Sequence, residues 1–204
     1  PDKPVVALSF DDGYMDFWHN ALPILAELGL PCNHNICPGL IDEGTLPWTY
    51  QVGLFMRDKP GCTVELPDGR PFRIAAEPGE MDLLALAAEL TACEDGQRSA
   101  WVTALGAEGG PKLMGWNEVR QCAEAGVDIG SHGMYHRNLS RLDDDVALEF
   151  EIEGSKKTIG ERVGREPAVF AFPNGLYDAR SMARVRGAGY RTALVCQDQT
   201  AVLT

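Results

Sequence analysis

Short apolar runs that stop at chemistry-bearing residues, with helix-spaced stretches between them, constrain this chain more than any other feature. The first run, Val5-Val6-Ala7-Leu8, leads through Ser9 and Phe10 to two adjacent carboxylates, Asp11 and Asp12, followed by Gly13 and Tyr14. Runs this short and rich in β-branched residues read as buried strands. Ala21, Leu22, Leu25 and Leu28 then fall at helical spacing, with Asp16 as the expected cap and Gly29 and Pro31 as stop signals. Cys32-Asn33-His34-Asn35-Ile36-Cys37 reads as a second strand with an unusually polar face. Strand, helix and strand at this spacing predict a parallel βαβ unit.

The alternation recurs in the second half. The patterns predict helices over 117–125, capped by Asn117, over 143–163 on a Leu148, Ile152, Ile159 stripe, and over 178–186. Strands are expected over 127–131, 168–172 and 190–196. Such βα repeats predict an α/β barrel-like fold with its site at the carboxyl ends of the strands. Five strands fall short of a complete barrel, so either the barrel is irregular or the chain is incomplete after Thr204. Residues 42–111 break the pattern. Turn markers recur there, a small hairpin is expected around Asp68-Gly69, and helices over 81–91 and 99–105. The expectation is one domain over 1–204 carrying an inserted subdomain.

Length and charge narrow the function classes. The 204 residues suffice for one large domain, and no apolar run approaches the roughly 18 residues of a membrane span. No signal peptide is visible at Pro1-Asp2-Lys3-Pro4. Thirty acidic against 18 basic residues give a net charge of −12, which repels nucleic-acid phosphates and argues against a nucleic-acid partner. The six cysteines are scattered without a CxxC pair and read as buried free thiols, which by themselves favour a reducing, cytoplasmic compartment.

Asp11 and Asp12 are neighbours after a strand, so their side chains leave in different directions. His132 and His136 follow the strand over 127–131, in Ser131-His132-Gly133-Met134-Tyr135-His136. Either pair alone is commonly an acidic turn or surface decoration. Together, one carboxylate and two imidazoles would hold a divalent ion at three points and leave a position for water. The other carboxylate is then free to take a proton from that water. Tyr14, Trp48 and Tyr135 offer faces for stacking on pyranose rings, with plain packing as the alternative. Asn33 and Asn35 are candidates for contacting sugar hydroxyls.

These residues resemble the motifs of the polysaccharide deacetylases of carbohydrate esterase family four. Ser9-Phe10-Asp11-Asp12-Gly13 is similar to that family's first motif, and His132-Gly133-Met134-Tyr135-His136 to its second. Phe170-Ala171-Phe172-Pro173-Asn174-Gly175 is similar to a variant of its third. The resemblance implies a distorted (β/α)7 barrel that hydrolyses acetyl groups, usually from N-acetylhexosamine units of a carbohydrate. It implies that Asp12, His132 and His136 bind a divalent metal, most often zinc, with cobalt as the alternative. Asp11 would be the general base, the main chain near Asn174 would stabilise the oxyanion, and Pro173 would line the substrate site. An exported or cell-envelope location is also implied, against the leaning of the cysteines. O-acetyl esterase activity, cyclic amide hydrolysis and a non-catalytic carbohydrate-binding domain are the rival readings. Two departures stand out. Ala171 occupies the place of an arginine that pairs with the base, leaving Arg165 or Arg191 as candidates for that task. The family's late leucine–histidine motif has no match, so the general acid is absent, supplied by His34 or His19, or encoded beyond Thr204.

Overall fold

In the computed structural model, which describes residues 6–196, the strand expected over 5–9 is confined to β1 (Ser9–Phe10), and Val6 and Ala7 of the apolar run are exposed outside it rather than buried in a strand. Val5, expected in that strand, lies outside the described residues. A π-helical turn (Phe17–Ala21) runs into α1 (Leu22–Leu28), which stops at Gly29 as its signals predict. Asp16 has helical backbone angles and makes no capping bond, because the helix is entered through the wider turn. Next come β2 (Asn33–Ile36) and α2 (Pro38–Glu43).

Residues 44–112 form a compact unit of their own. It contains α3 (Trp48–Asp58), a hairpin of β3 (Thr63–Glu65) and β4 (Pro71–Arg73), α4 (Glu80–Ala92) and α5 (Asp95–Leu105). Its core is apolar: Trp48, Val52, Met56, Leu66, Ile74, Leu86, Leu90 and Val102 pack together. Within it, the buried Arg98 donates to the Asp95 carboxylate, and its guanidinium lies 5.0 Å from the centre of the Trp48 ring.

The other unit is completed by α6 (Trp116–Glu124), β5 (Asp128–Ser131), α7 (Asp145–Glu149), a π-helical turn (Phe150–Gly154), α8 (Ser155–Val163), β6 (Val169–Ala171), α9 (Ala179–Gly187) and β7 (Thr192–Leu194). Asn117 lies inside α6. The cap is Gly115, whose N–H donates to Glu118 at 2.9 Å. Asp178 does cap α9, accepting from the Ser181 N–H at 2.7 Å.

Five strands pair side by side in the order β1-β2-β5-β6-β7, every pair parallel. This is an α/β fold, a distorted and incomplete (β/α) barrel among the described residues. The strand period of two sorts β2 sharply. Ile36 joins Ile129, Val119, Cys122 and Ile159 in a buried apolar cluster. Burial on that scale is worth about 1.5–3 kcal/mol per large aliphatic side chain. Asn33 and Asn35 point to the opposite face, where they hydrogen-bond to groups of β1 and β5. The parallel arrangement also brings the carboxyl ends of β1, β2, β5 and β6 to one edge. Among the described residues no helix is long and apolar enough to cross a membrane.

Candidate metal centre

At that edge the chain leaves β1 through a tight turn. The Gly13 N–H donates to the Asp11 carbonyl at 3.0 Å, and Asp12 between them has φ +73°. A non-glycine residue in this region stores on the order of 1–3 kcal/mol of strain. Only three such residues occur among the described ones, Asp12, His136 and Asn174, and each falls in one of the three motifs singled out in the sequence. Strained backbone of this kind collects where the surrounding structure over-determines a geometry.

Asp12, His132 and His136 meet. Their ligating atoms all lie within 4.8 Å of one another. His132 Nε2 is 3.6 Å and His136 Nε2 3.4 Å from Asp12 Oδ1, and the two imidazole rings stand 4.8 Å apart. Both histidines are buried, and Asp12 is largely covered. Burial raises the Asp12 carboxyl above its ordinary value; His132 opposes this, the charge of Asp11 adds to it, and a hydrogen bond from Tyr14 lowers it again. Asp12 Oδ1 is buried without a hydrogen-bond donor, the situation a cation relieves.

His132 is set for ligation by its other nitrogen. Its Nδ1 donates to the Ala171 carbonyl at 2.8 Å, which leaves the Nε2 lone pair facing Asp12. Its backbone N–H donates to Ile36 at 2.9 Å, extending the β2–β5 ladder. The loop between the histidines is held by Glu151, a fully buried carboxylate from the second π-helical turn. Glu151 Oε2 accepts from the N–H groups of Met134 and Tyr135 at 2.8 and 3.0 Å. Gly133, at φ +77°, has no side chain to compete: a Cβ there would stand 2.9 Å from Glu151 Oε2. The donor set therefore fits a divalent ion, with Asp12, His132 and His136 as ligands and Glu151 behind them. Cys37 stays outside the set. Burial pushes its thiol well up, so it remains protonated and donates to the His132 carbonyl at 3.2 Å.

Asp11 is exposed beside this cluster, and Asn35 Nδ2 donates to its Oδ1 at 2.8 Å. Arg165 instead pairs with Asp128 at 2.8 Å, and Arg191 precedes the amino end of β7, the opposite edge of the parallel sheet from Asp11. Pro173 is buried, its Cγ 3.7 Å from where a Cβ on Gly133 would lie, and the exposed Asn174 follows it. Tyr135 packs over Gly39, stacks on Phe150 at 6.2 Å and donates its hydroxyl to Glu43 at 2.8 Å. Trp48 belongs to the core of the unit over 44–112 and has a core residue's geometry. His34 is fully buried, edge-on to Phe17 at 4.1 Å, and burial lowers its pKa to about 4. It is neutral near pH 7, so it is not an imidazolium acid there. His19 is exposed beside Trp18.

All six cysteines are free as expected, but only Cys32, Cys37 and Cys122 are buried; Cys62 and Cys93 are partly covered and Cys196 is exposed. Two residues beneath the site escaped the sequence reading. Glu151 left one signal, an acid falling on the apolar stripe of Leu148 and Ile152. Asn35 was noted only as a sugar contact.

The sequence model for polysaccharide deacetylase matches residues 1–193, so the chain belongs to the polysaccharide deacetylase family. No curated protein matches it. Among solved structures, the Streptococcus pyogenes deacetylase PplD in complex with acetate is similar with a TM-score of 0.57 and 17% identity, over 94% of this chain and 55% of that one. The deacetylase domain of BpsB from Bordetella bronchiseptica gives 0.54 and 16%, over 94% and 63%. A de-N-acetylase from Aggregatibacter actinomycetemcomitans gives 0.52 and 16%, over 95% and 64%. The chain thus spans between about half and two thirds of these structures, and at such identities the likeness is one of fold.

Proposed function

We infer that this chain is a metal-dependent deacetylase that hydrolyses acetyl groups on a carbohydrate, the N-acetyl of hexosamine units first among them. The observation that carries the reading is the convergence of Asp12, His132 and His136, with an exposed second carboxylate, Asp11, beside them. A divalent ion at those three ligands, zinc first and cobalt second, would supply Lewis acidity to the acetyl carbonyl and make water a better nucleophile. Asp11 is the group placed to take the proton of the attacking water, a role worth about 10²–10⁴-fold. The main chain at Asn174 would donate to the oxygen that gains charge in the tetrahedral state, and Pro173 would wall the site. Tyr14 serves the reaction through its hydrogen bond to Asp12. Residues 1–204 would act as one catalytic domain that carries the unit over 44–112.

The test is acetate release by metal-stripped protein, before and after zinc or cobalt is restored. N-acetylglucosamine oligomers, acetylated xylan and a ureide are the substrates. The reading expects metal-restored release from the oligomers that disappears in Asp11→Asn and His132→Ala. Turnover of the xylan or the ureide alone would reassign the same site to ester or cyclic amide hydrolysis. Metal binding without any turnover would leave a binding domain.

A further inference from the structure

Asn35 is fully buried, yet its amide reaches the one carboxylate of the site that faces solvent. Besides Asp11, its Nδ2 lies 3.1 Å from Ser9 Oγ as donor. The Ser9 hydroxyl donates to Asn33 Oδ1 at 3.0 Å, and Asn33 Nδ2 donates to the Asp128 carbonyl at 2.8 Å. A row of polar groups therefore crosses β1, β2 and β5 on one face and ends at Asp11. A carboxylate only accepts, so the nitrogen of the Asn35 amide, not its oxygen, has to face Asp11. The oxygen then lies over β5, and Gly130 is what makes room. A Cβ at Gly130 would stand 2.0 Å from Asn35 Oδ1 and 2.8 Å from Asn33 Nδ2. Arg165, one of the arginines the sequence offers for Asp11, pairs with Asp128 instead.

We propose that Asn35, seated on Gly130, is the positioning residue that aims the Asp11 carboxylate at the site. Its kinetic consequence rests on the deacetylase reading; its geometric content does not. An amide aims the base through a directional bond without placing a cation beside it. It is locked by strand pairing, since Asn33, Asn35 and Gly130 all sit on paired strands. A misaimed general base costs on the order of 100-fold in rate.

The experiment combines kinetics and crystallography on zinc-loaded Asn35→Ala and Gly130→Ala, the second covering the case that the first does not fold. On N-acetylglucosamine oligomers both variants should lose about 100-fold in kcat, with KM and zinc affinity within about twofold of the parent. A purely structural role would lower Tm and leave kcat of the folded fraction intact. In the Asn35→Ala crystal structure the Asp11 side chain should leave its present rotamer. An Asp11 that keeps its place there overturns the proposal, and so does unchanged kcat. Failure of the deacetylase reading looks different: the parent protein would hold zinc and release no acetate, while Asp11 would still swing free in Asn35→Ala and uphold the positioning role.

Discussion

The two units bury polar groups to different ends. The unit over 44–112 has two buried charged side chains among the described residues, Asp95 and Arg98, and they pair with each other. The parallel-sheet unit has nine buried polar or charged side chains among the described residues, including both histidines of the candidate cluster, the amide that meets Asp11 and the carboxylate under the histidine loop. Strain divides the same way. The three non-glycine residues at positive φ all lie in the sheet unit. Apolar packing and one internal ion pair suffice to hold a fold. In the sheet unit the three strained residues, at on the order of 1–3 kcal/mol each, and part of the buried polarity fall in the Asp12, His132–His136 and Asn174 segments and around the loop between the histidines.

The contrast can be broken by substitution. Arg98→Met strands a buried carboxylate and should cost about 3–5 kcal/mol in urea unfolding, whereas Asp95→Leu with Arg98→Met should return to within about 1 kcal/mol of the parent. No such apolar repair should exist for Glu151. Glu151→Ala leaves the Met134 and Tyr135 N–H groups unpaired, which should cost about 2–4 kcal/mol, and Glu151→Leu should still lose about 10–100-fold in zinc affinity. Titration calorimetry on the folded variants separates the two losses.

His34 gives the next largest effect, as a pH dependence. Its folded pKa is about 4, below the reference 6.5, so on acidification the unfolded chain takes up the proton first. Stability should be complete above about pH 6.5 and fall by about 3 kcal/mol as pH drops to 4. His34→Phe should flatten that part of the curve, read as Tm against pH. The smallest effect belongs to Arg165→Ala. Its exposed pair with Asp128 is worth less than about 1 kcal/mol, and acetate release should not change.

What was legible in the sequence follows the same division. Four of the five sheet strands fall inside the ranges expected for them, whereas β1 falls at Ser9–Phe10, beyond the apolar run that marked it; the clustering of Asp12, His132 and His136 was readable because parallel topology brings strand ends together. The helix α3 was missed, since Pro47, Gly53, Pro60 and Gly61 mimic a run of turns. The helix α2 is not expected from the sequence because Pro38-Gly39 after β2 resembles turn punctuation, whereas proline also suits a first helical turn. The π-helical turns have no period that a sequence shows. The tasks of Asn35 and Glu151 depend on partners 24 and 17 residues away in sequence, and only the folded register reveals them.

The most direct test of the account is a zinc titration of metal-stripped protein by calorimetry at neutral pH. The account predicts one equivalent per chain, lost in Asp12→Asn, His132→Ala and His136→Ala and kept in Asp11→Asn and the Asp95→Leu, Arg98→Met double variant. A full equivalent still bound at unchanged affinity by His132→Ala and His136→Ala would contradict it.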